Sequence, residues 1–119
     1  VNGTRITILG SFTVGEVPPT LEYQYLDSDG VAISLAGYGV AQFHWASYAG
    51  GSPVVGPFNE TASISDALNG RVTYSWDGDE FATPGRYLGQ FFVNNGTNQL
   101  ASILIEWHVC AAVGTPPSV

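Results

Sequence analysis

The chain contains no lysine. Its three arginines stand against ten aspartates and glutamates, which gives a net charge of −7 at pH 7. Such a balance offers no cationic face from which counterion release could drive binding, so a nucleic-acid partner is disfavoured. Charge of either sign is scarce, at 11% of 119 residues, where an ordinary soluble domain has ~25%. The surface is therefore expected to consist mainly of Ser, Thr, Asn, Gln, Gly and exposed apolar groups. Such a surface suits a subunit packed against others and avoids the lysines that interfaces deplete; an acidic solubility bias, or a host in moderate salt, would leave the same composition. Cysteine is nearly absent too. Cys110 is the only one and cannot pair within the chain, so packing alone must hold any two sheets together, and a buried free thiol is the expectation. One unpaired cysteine argues against an oxidising compartment, and no basic segment followed by an apolar run opens the chain to direct export. No apolar stretch approaches the ~20 residues of a membrane helix, so a soluble protein with no membrane partner is expected. The length fits one domain, burying roughly two thirds of its unfolded surface.

What is present is alternation. From Gly70 to Val93, Val72, Tyr74 and Trp76 alternate with Arg71, Thr73 and Ser75, and Tyr87, Gly89, Phe91 and Val93 alternate with Arg86, Leu88, Gln90 and Phe92. Period two means half-buried strands. Between the two arms lies an acidic turn, Asp77-Gly78-Asp79-Glu80, and Tyr87 follows Gly85 as a tyrosine corner does in a β-sandwich. Further strands are expected over Thr4 to Phe12 with a bulge at Gly10, Leu21 to Tyr25, Val31 to Leu35, and Gly39 to Ser47. Two more are expected over Thr61 to Asp66, at an edge, and Gln99 to Cys110. Pro18 and Pro19 end the first strand, where the chain ends a strand or switches sheets. Trp45 is the candidate core tryptophan, His44 and His108 lie on faces opposite the apolar residues, and Asn95-Gly96 signals a type I′ hairpin. The Gly- and Pro-rich segment Tyr48 to Phe58 has no clean period and reads as a long connection or frayed edge. The expected fold is an all-β immunoglobulin-like sandwich of about seven to nine antiparallel strands without a disulfide, over residues 1–110, with a Pro-rich tail or arm at 111–119.

No catalytic, cofactor or metal residue is assigned. Three carboxylates in Asp77 to Glu80 suggest calcium, but lack the spaced further ligands of a hard-cation cage. Asp27-x-Asp29-Gly30 begins like an EF-hand loop, yet its twelfth position is Tyr38, so a hairpin turn is expected. With one cysteine and two isolated histidines, zinc has no ligand set. No serine stands in a glycine-framed elbow. Tyr38, Tyr48, Phe58 and Phe92 are candidates for a sugar-stacking platform, although such aromatics more often fill cores or interfaces. Sequons at Asn2, Asn59 and Asn95 matter only in a eukaryotic secretory setting, and read as chance.

The ordered segments Pro18 to Val40, Gly70 to Trp76 and Thr83 to Val93 resemble a family of tailed-bacteriophage proteins. The likeness is to the immunoglobulin-like N-terminal domain of baseplate upper proteins and related small virion proteins. The shared pattern is an Asp-x-Asp-Gly turn (Asp27 to Gly30), a Leu-x-Gly step (Leu35 to Gly37), a Gly-x-Val-x-Tyr-x-Trp strand, and a Thr-x-Gly-x-Tyr corner (Thr83 to Tyr87). It covers roughly residues 12–110. The resemblance implies a non-enzymatic structural subunit of a virion, assembled in the host bacterial cytoplasm, that packs on other virion proteins as a homo-oligomer or in a symmetric array. Baseplate upper proteins continue into a receptor-carrying region. This chain's Pro-rich tail at that point favours a stand-alone accessory part of tail, baseplate, neck or capsid, including capsid decoration. A carbohydrate-binding or adhesion module is the alternative from another class.

Overall fold

Alternating apolar residues produce strands here, and strands are nearly all there is. A computed structural model, which describes residues 6–49 and 52–111, contains β1 (Ile6–Thr13), β2 (Leu21–Gln24), β3 (Val40–Ala49), β4 (Ser52–Thr61), β5 (Ser63–Asp66), β6 (Arg71–Tyr74), β7 (Gly85–Asn94), β8 (Gln99–Ala101) and β9 (Leu104–Cys110). A single 3₁₀ turn, Asp79–Phe81, is the only helical element among the described residues. The larger sheet runs β1-β9-β7-β3-β4, with β8 also paired to β7, and packs on a smaller sheet ordered β2-β6-β5. The fold is an immunoglobulin-like β-sandwich without a disulfide. One pairing departs from the antiparallel expectation: β1 runs parallel to β9. No hairpin joins those two strands, so nothing in their connectivity forces opposite directions.

The chain changes sheets where the sequence lacks ladder-forming residues. Val17-Pro18-Pro19 carries it from β1 to β2, as prolines without donors should. Between β4 and β5 a single residue makes the switch: Ala62 is buried, and its N–H still donates to the Ala41 carbonyl (3.1 Å). The bulge expected near Gly10 appears as a register shift between Ile8 and Gly10.

The inward faces of β3, β7 and β9 meet those of β2 and β6 in an aromatic core. Phe43 is fully buried at its centre, with the rings of Tyr74 at 4.7 Å, Phe91 at 4.9 Å, Trp76 at 5.8 Å and Trp107 at 6.2 Å. Trp45 is buried as expected, but it sits beside Tyr87 and Phe58, at the end of the cluster. Trp107 takes the central place, its Nε1–H donating to the Glu80 carbonyl (3.2 Å). The tyrosine corner is present: the Tyr87 hydroxyl donates to the Thr83 carbonyl, and its ring lies flat on Trp107 (5.6 Å, 5°). Tyr87→Phe is expected to cost about 1 kcal/mol, the net worth of that hydrogen bond, read as a lower thermal midpoint. An unchanged midpoint would show that the corner hydroxyl contributes nothing.

Several expectations change. Tyr48 to Phe58 is mostly strand, because β4 pairs with β3 from Ser52 to Thr61; its prolines and glycine disturb the period without ending the ladder. The strand expected over Val31 to Leu35 reduces to one bridge, Leu26 to Ala32, since Ile33 and Leu35 donate to the carbonyls of Tyr25 and Ala67 instead. The long last strand divides at Ser102, where a bulge lets the Ser102 hydroxyl accept the Phe91 N–H (2.9 Å) in place of a backbone carbonyl. Asn95-Gly96 forms a four-residue loop between paired Asn94 and Gln99. Asn95 does not adopt the positive φ of a type I′ turn, and its side chain accepts the N–H groups of Thr97 and Asn98. Cys110 is exposed, not buried, because it ends β9 on the face opposite buried Val109. Thr4 and the tail beyond Ala111 lie outside the described residues.

Candidate functional site

Strand β4 carries two more residues than the stretch of β3 it opposes. Trp45 faces Phe58 and Ser47 faces Val55, so two steps along β3 match three along β4; the next step, Tyr48 to Pro53, repeats the mismatch. Each extra residue bends and twists the strand. Gly56 accommodates the first bend at φ +93°, where a β-carbon would stand 3.0 Å from the Phe58 ring and 3.1 Å from the Trp45 carbonyl. The bend lays Phe58 over Trp45 with ring centres 4.6 Å apart. The Ser47 hydroxyl accepts the Val55 N–H (3.1 Å), holding the displaced strand to its neighbour.

Beyond the bend the inner face of this hairpin has no roof. A hollow of about 350 Å³ lies between it and the connection leading into β7, with no lining residue from β2, β5 or β6. Its walls are Trp45, Val54, Val55, Phe58, Pro84 and Tyr87, and Glu60 and Asp79 bring carboxylates to it. Glu60 is held in place, its Oε2 accepting the Trp45 indole N–H (3.3 Å). Among the described residues no arginine or histidine lines the hollow. Phe58 was singled out from sequence as an aromatic outside the core. Val54, Val55 and Glu60 were not, because nothing in a Gly- and Pro-rich run reveals which side chains a bulged strand turns inward.

The acidic turn does not gather its carboxylates. Asp77 accepts the Asp79 N–H (2.9 Å), and Asp79 remains exposed. Glu80 turns fully into the core. One of its oxygens accepts the Tyr74 hydroxyl and the other the Gly78 N–H (3.1 Å). Burial pushes the Glu80 carboxyl above the ordinary carboxylate value, against the pull of the Tyr74 hydrogen bond. Burial, reinforced by the Glu80 contact, likewise raises the Tyr74 hydroxyl, so the phenol stays the donor. No three His, Cys, Asp or Glu among the described residues are grouped to hold a metal ion. Asp27 serves its hairpin turn, its Oδ1 accepting the N–H groups of Asp29 (2.8 Å) and Val31 (3.0 Å).

The histidines stand apart on the outer face of the larger sheet. His44 on β3 bonds Gln42 (2.9 Å) and leans on Phe92, and partial burial lowers its pKa. His108 on β9 bonds Glu106 (2.7 Å), which also accepts from Arg86 (3.0 Å). That guanidinium, with His108, holds the Glu106 carboxyl below its ordinary value. The four sugar-stacking candidates do not form one platform. Tyr48 and Phe92 line a shallow depression on this outer face, Phe58 lines the hollow on the other side of the sheet, and Tyr38 packs against the core. Asn59 and Asn95 are exposed, on β4 and in the β7–β8 loop; Asn2 lies outside the described residues.

Neither a protein-family model nor a curated protein matches this sequence.

Proposed function

We propose that this chain is a non-enzymatic structural subunit of a tailed-phage virion, placed in tail, baseplate, neck or capsid, and that it works by packing against other virion proteins. The observation that carries the packing role is the edge strand β4. Val54 is 64% exposed, Val55 54% and Phe58 39%, so one short run brings three large apolar side chains to the surface beside an unroofed hollow. An open strand edge with apolar side chains is ordinarily guarded by charge, lysine above all. Here Glu60 is the only charged residue of β4, and prolines and bulges alone interrupt the ladder. Contiguous apolar surface of this kind marks a protein contact. The virion setting is supported by the ordered likeness over roughly residues 12–110, which includes a tyrosine corner and an Asp-x-Asp-Gly hairpin turn. A homo-oligomer or symmetric array covers such an edge repeatedly with one contact.

Mass spectrometry of purified particles of the phage that encodes the chain tests the reading. Presence at a few to some tens of copies per particle would place it in tail, neck or baseplate, and hundreds would make it a capsid decoration protein. Absence from particles would refute the virion role.

A further inference from the structure

We infer that the hollow between the β3–β4 hairpin and the connection entering β7 receives an arginine side chain, presented on an extended apolar segment of a neighbouring protein. The lining fits both halves of that side chain. Aliphatic surface from Val54, Val55 and Pro84 matches a three-carbon stem, and an arginine buries its stem in this way while keeping its head with charge or water. Carboxylates then stand ready for the head. Glu60 is half-buried and already fixed by the Trp45 indole, which occupies only one of its oxygens. Asp79, exposed, supplies a second negative charge from across the hollow.

Charge complementarity selects a cation over other occupants. The chain carries −7, and no described cationic side chain reaches these two carboxylates. A planar guanidinium is preferred to an ammonium because its fork matches a fixed carboxylate and it desolvates more readily. A sugar is disfavoured for a geometric reason. A sugar site ordinarily offers a broad aromatic platform, yet Trp45 and Tyr87 are only 5% and 4% exposed, which leaves the single ring of Phe58. Nothing in this assignment depends on a virion, so particles lacking the chain would leave it standing.

The test uses the purified chain and two blocked peptides, acetyl-Leu-Val-Arg-Val-Thr-amide and its citrulline analogue, which keeps the shape and removes the charge. Proton–nitrogen NMR follows the Trp45 indole and the Val54 and Val55 amides. The arginine peptide is expected to shift these signals at millimolar concentration, and the citrulline peptide to bind about tenfold more weakly, as loss of one charge-assisted hydrogen bond implies. Glu60→Gln, which keeps an acceptor for the indole, is expected to cut the difference between the peptides to the smaller part owed to Asp79, while leaving the thermal midpoint near that of the parent. Equal binding of both peptides, shifts confined to other surfaces, or no shift at all would overturn the assignment. So would an oligosaccharide that moves the same signals when the arginine peptide does not.

Discussion

Replacing Gly89 with alanine is expected to destabilise the protein by about 3 kcal/mol, the upper end of what overpacking a core costs, and to lower its thermal midpoint by about 10 °C. In antibody domains the position two residues after the corner tyrosine holds the second cysteine of the inter-sheet disulfide. Here that position is Gly89, and its side-chain volume is already filled. A β-carbon would sit 2.4 Å from Cζ of Phe43 and 3.0 Å from Cζ3 of Trp107. Phe43 cannot swing aside, because Tyr74, Trp76, Phe91 and Trp107 surround it. The sandwich is thus held by interlocked rings in the volume where a disulfide would lie. A Gly89→Ala protein that melted like the parent would show the centre to be loosely packed.

Glu80→Ala is expected to cost a similar amount, about 3 kcal/mol. It would open a cavity and strip the Tyr74 hydroxyl and the Gly78 N–H of their acceptor. Glu80→Gln separates shape from charge. The amide can accept one of these bonds and donate to the phenol oxygen, so the fold should survive the change. Because the folded-state pKa of Glu80 is raised, its favourable contribution is complete below the ordinary carboxylate value of 4.5 and is lost as pH climbs through the raised value. Glu106 acts in the opposite sense: its pKa is lowered, so its contribution is present above 4.5 and is lost as pH falls through the lowered value. As pH falls, the cost of ionising Glu80 should therefore be recovered through its raised value, and the Arg86–Glu106–His108 contacts forfeited only through the lowered value of Glu106. Denaturant midpoints measured across this range should lose the Glu80 component in Glu80→Gln. If the parent and Glu80→Gln differ by a constant at every pH, folding leaves the Glu80 pKa unshifted, against what its burial demands.

The fold was legible wherever a strand has one buried and one wet face. Ala41, Phe43 and Trp45, and Tyr87 through Val93, follow period two because each sits on the inner face of a regular ladder. Legibility failed where the backbone breaks that period. The bulges of β4 shift its inward side chains by one residue twice, so its alternation is lost although its pairing persists. The bulge at Ser102 leaves no glycine to mark it, and two strands read as one. Glu80 was hidden for a different reason. A carboxylate in an Asp-Gly turn reads as a solvated group, and only the three-dimensional return of the 3₁₀ turn under Tyr74 and Trp107 makes it part of the core. The hollow depends on the same two hidden features, a bulged strand and an inward-turned connection, so residue pattern alone could not have drawn it.

Hydrogen exchange of the chain, free and in the proposed assembly, tests most directly the claim that a rigid aromatic sandwich packs through an open edge. Amides at the centre of β3, β7 and β9, such as those of Phe43, Phe91 and Trp107, should be the slowest in both states. Those of β4 from Val54 to Phe58 should exchange fast in the free chain and slow markedly on assembly. Unchanged β4 exchange, with protection appearing on another surface instead, would contradict the account.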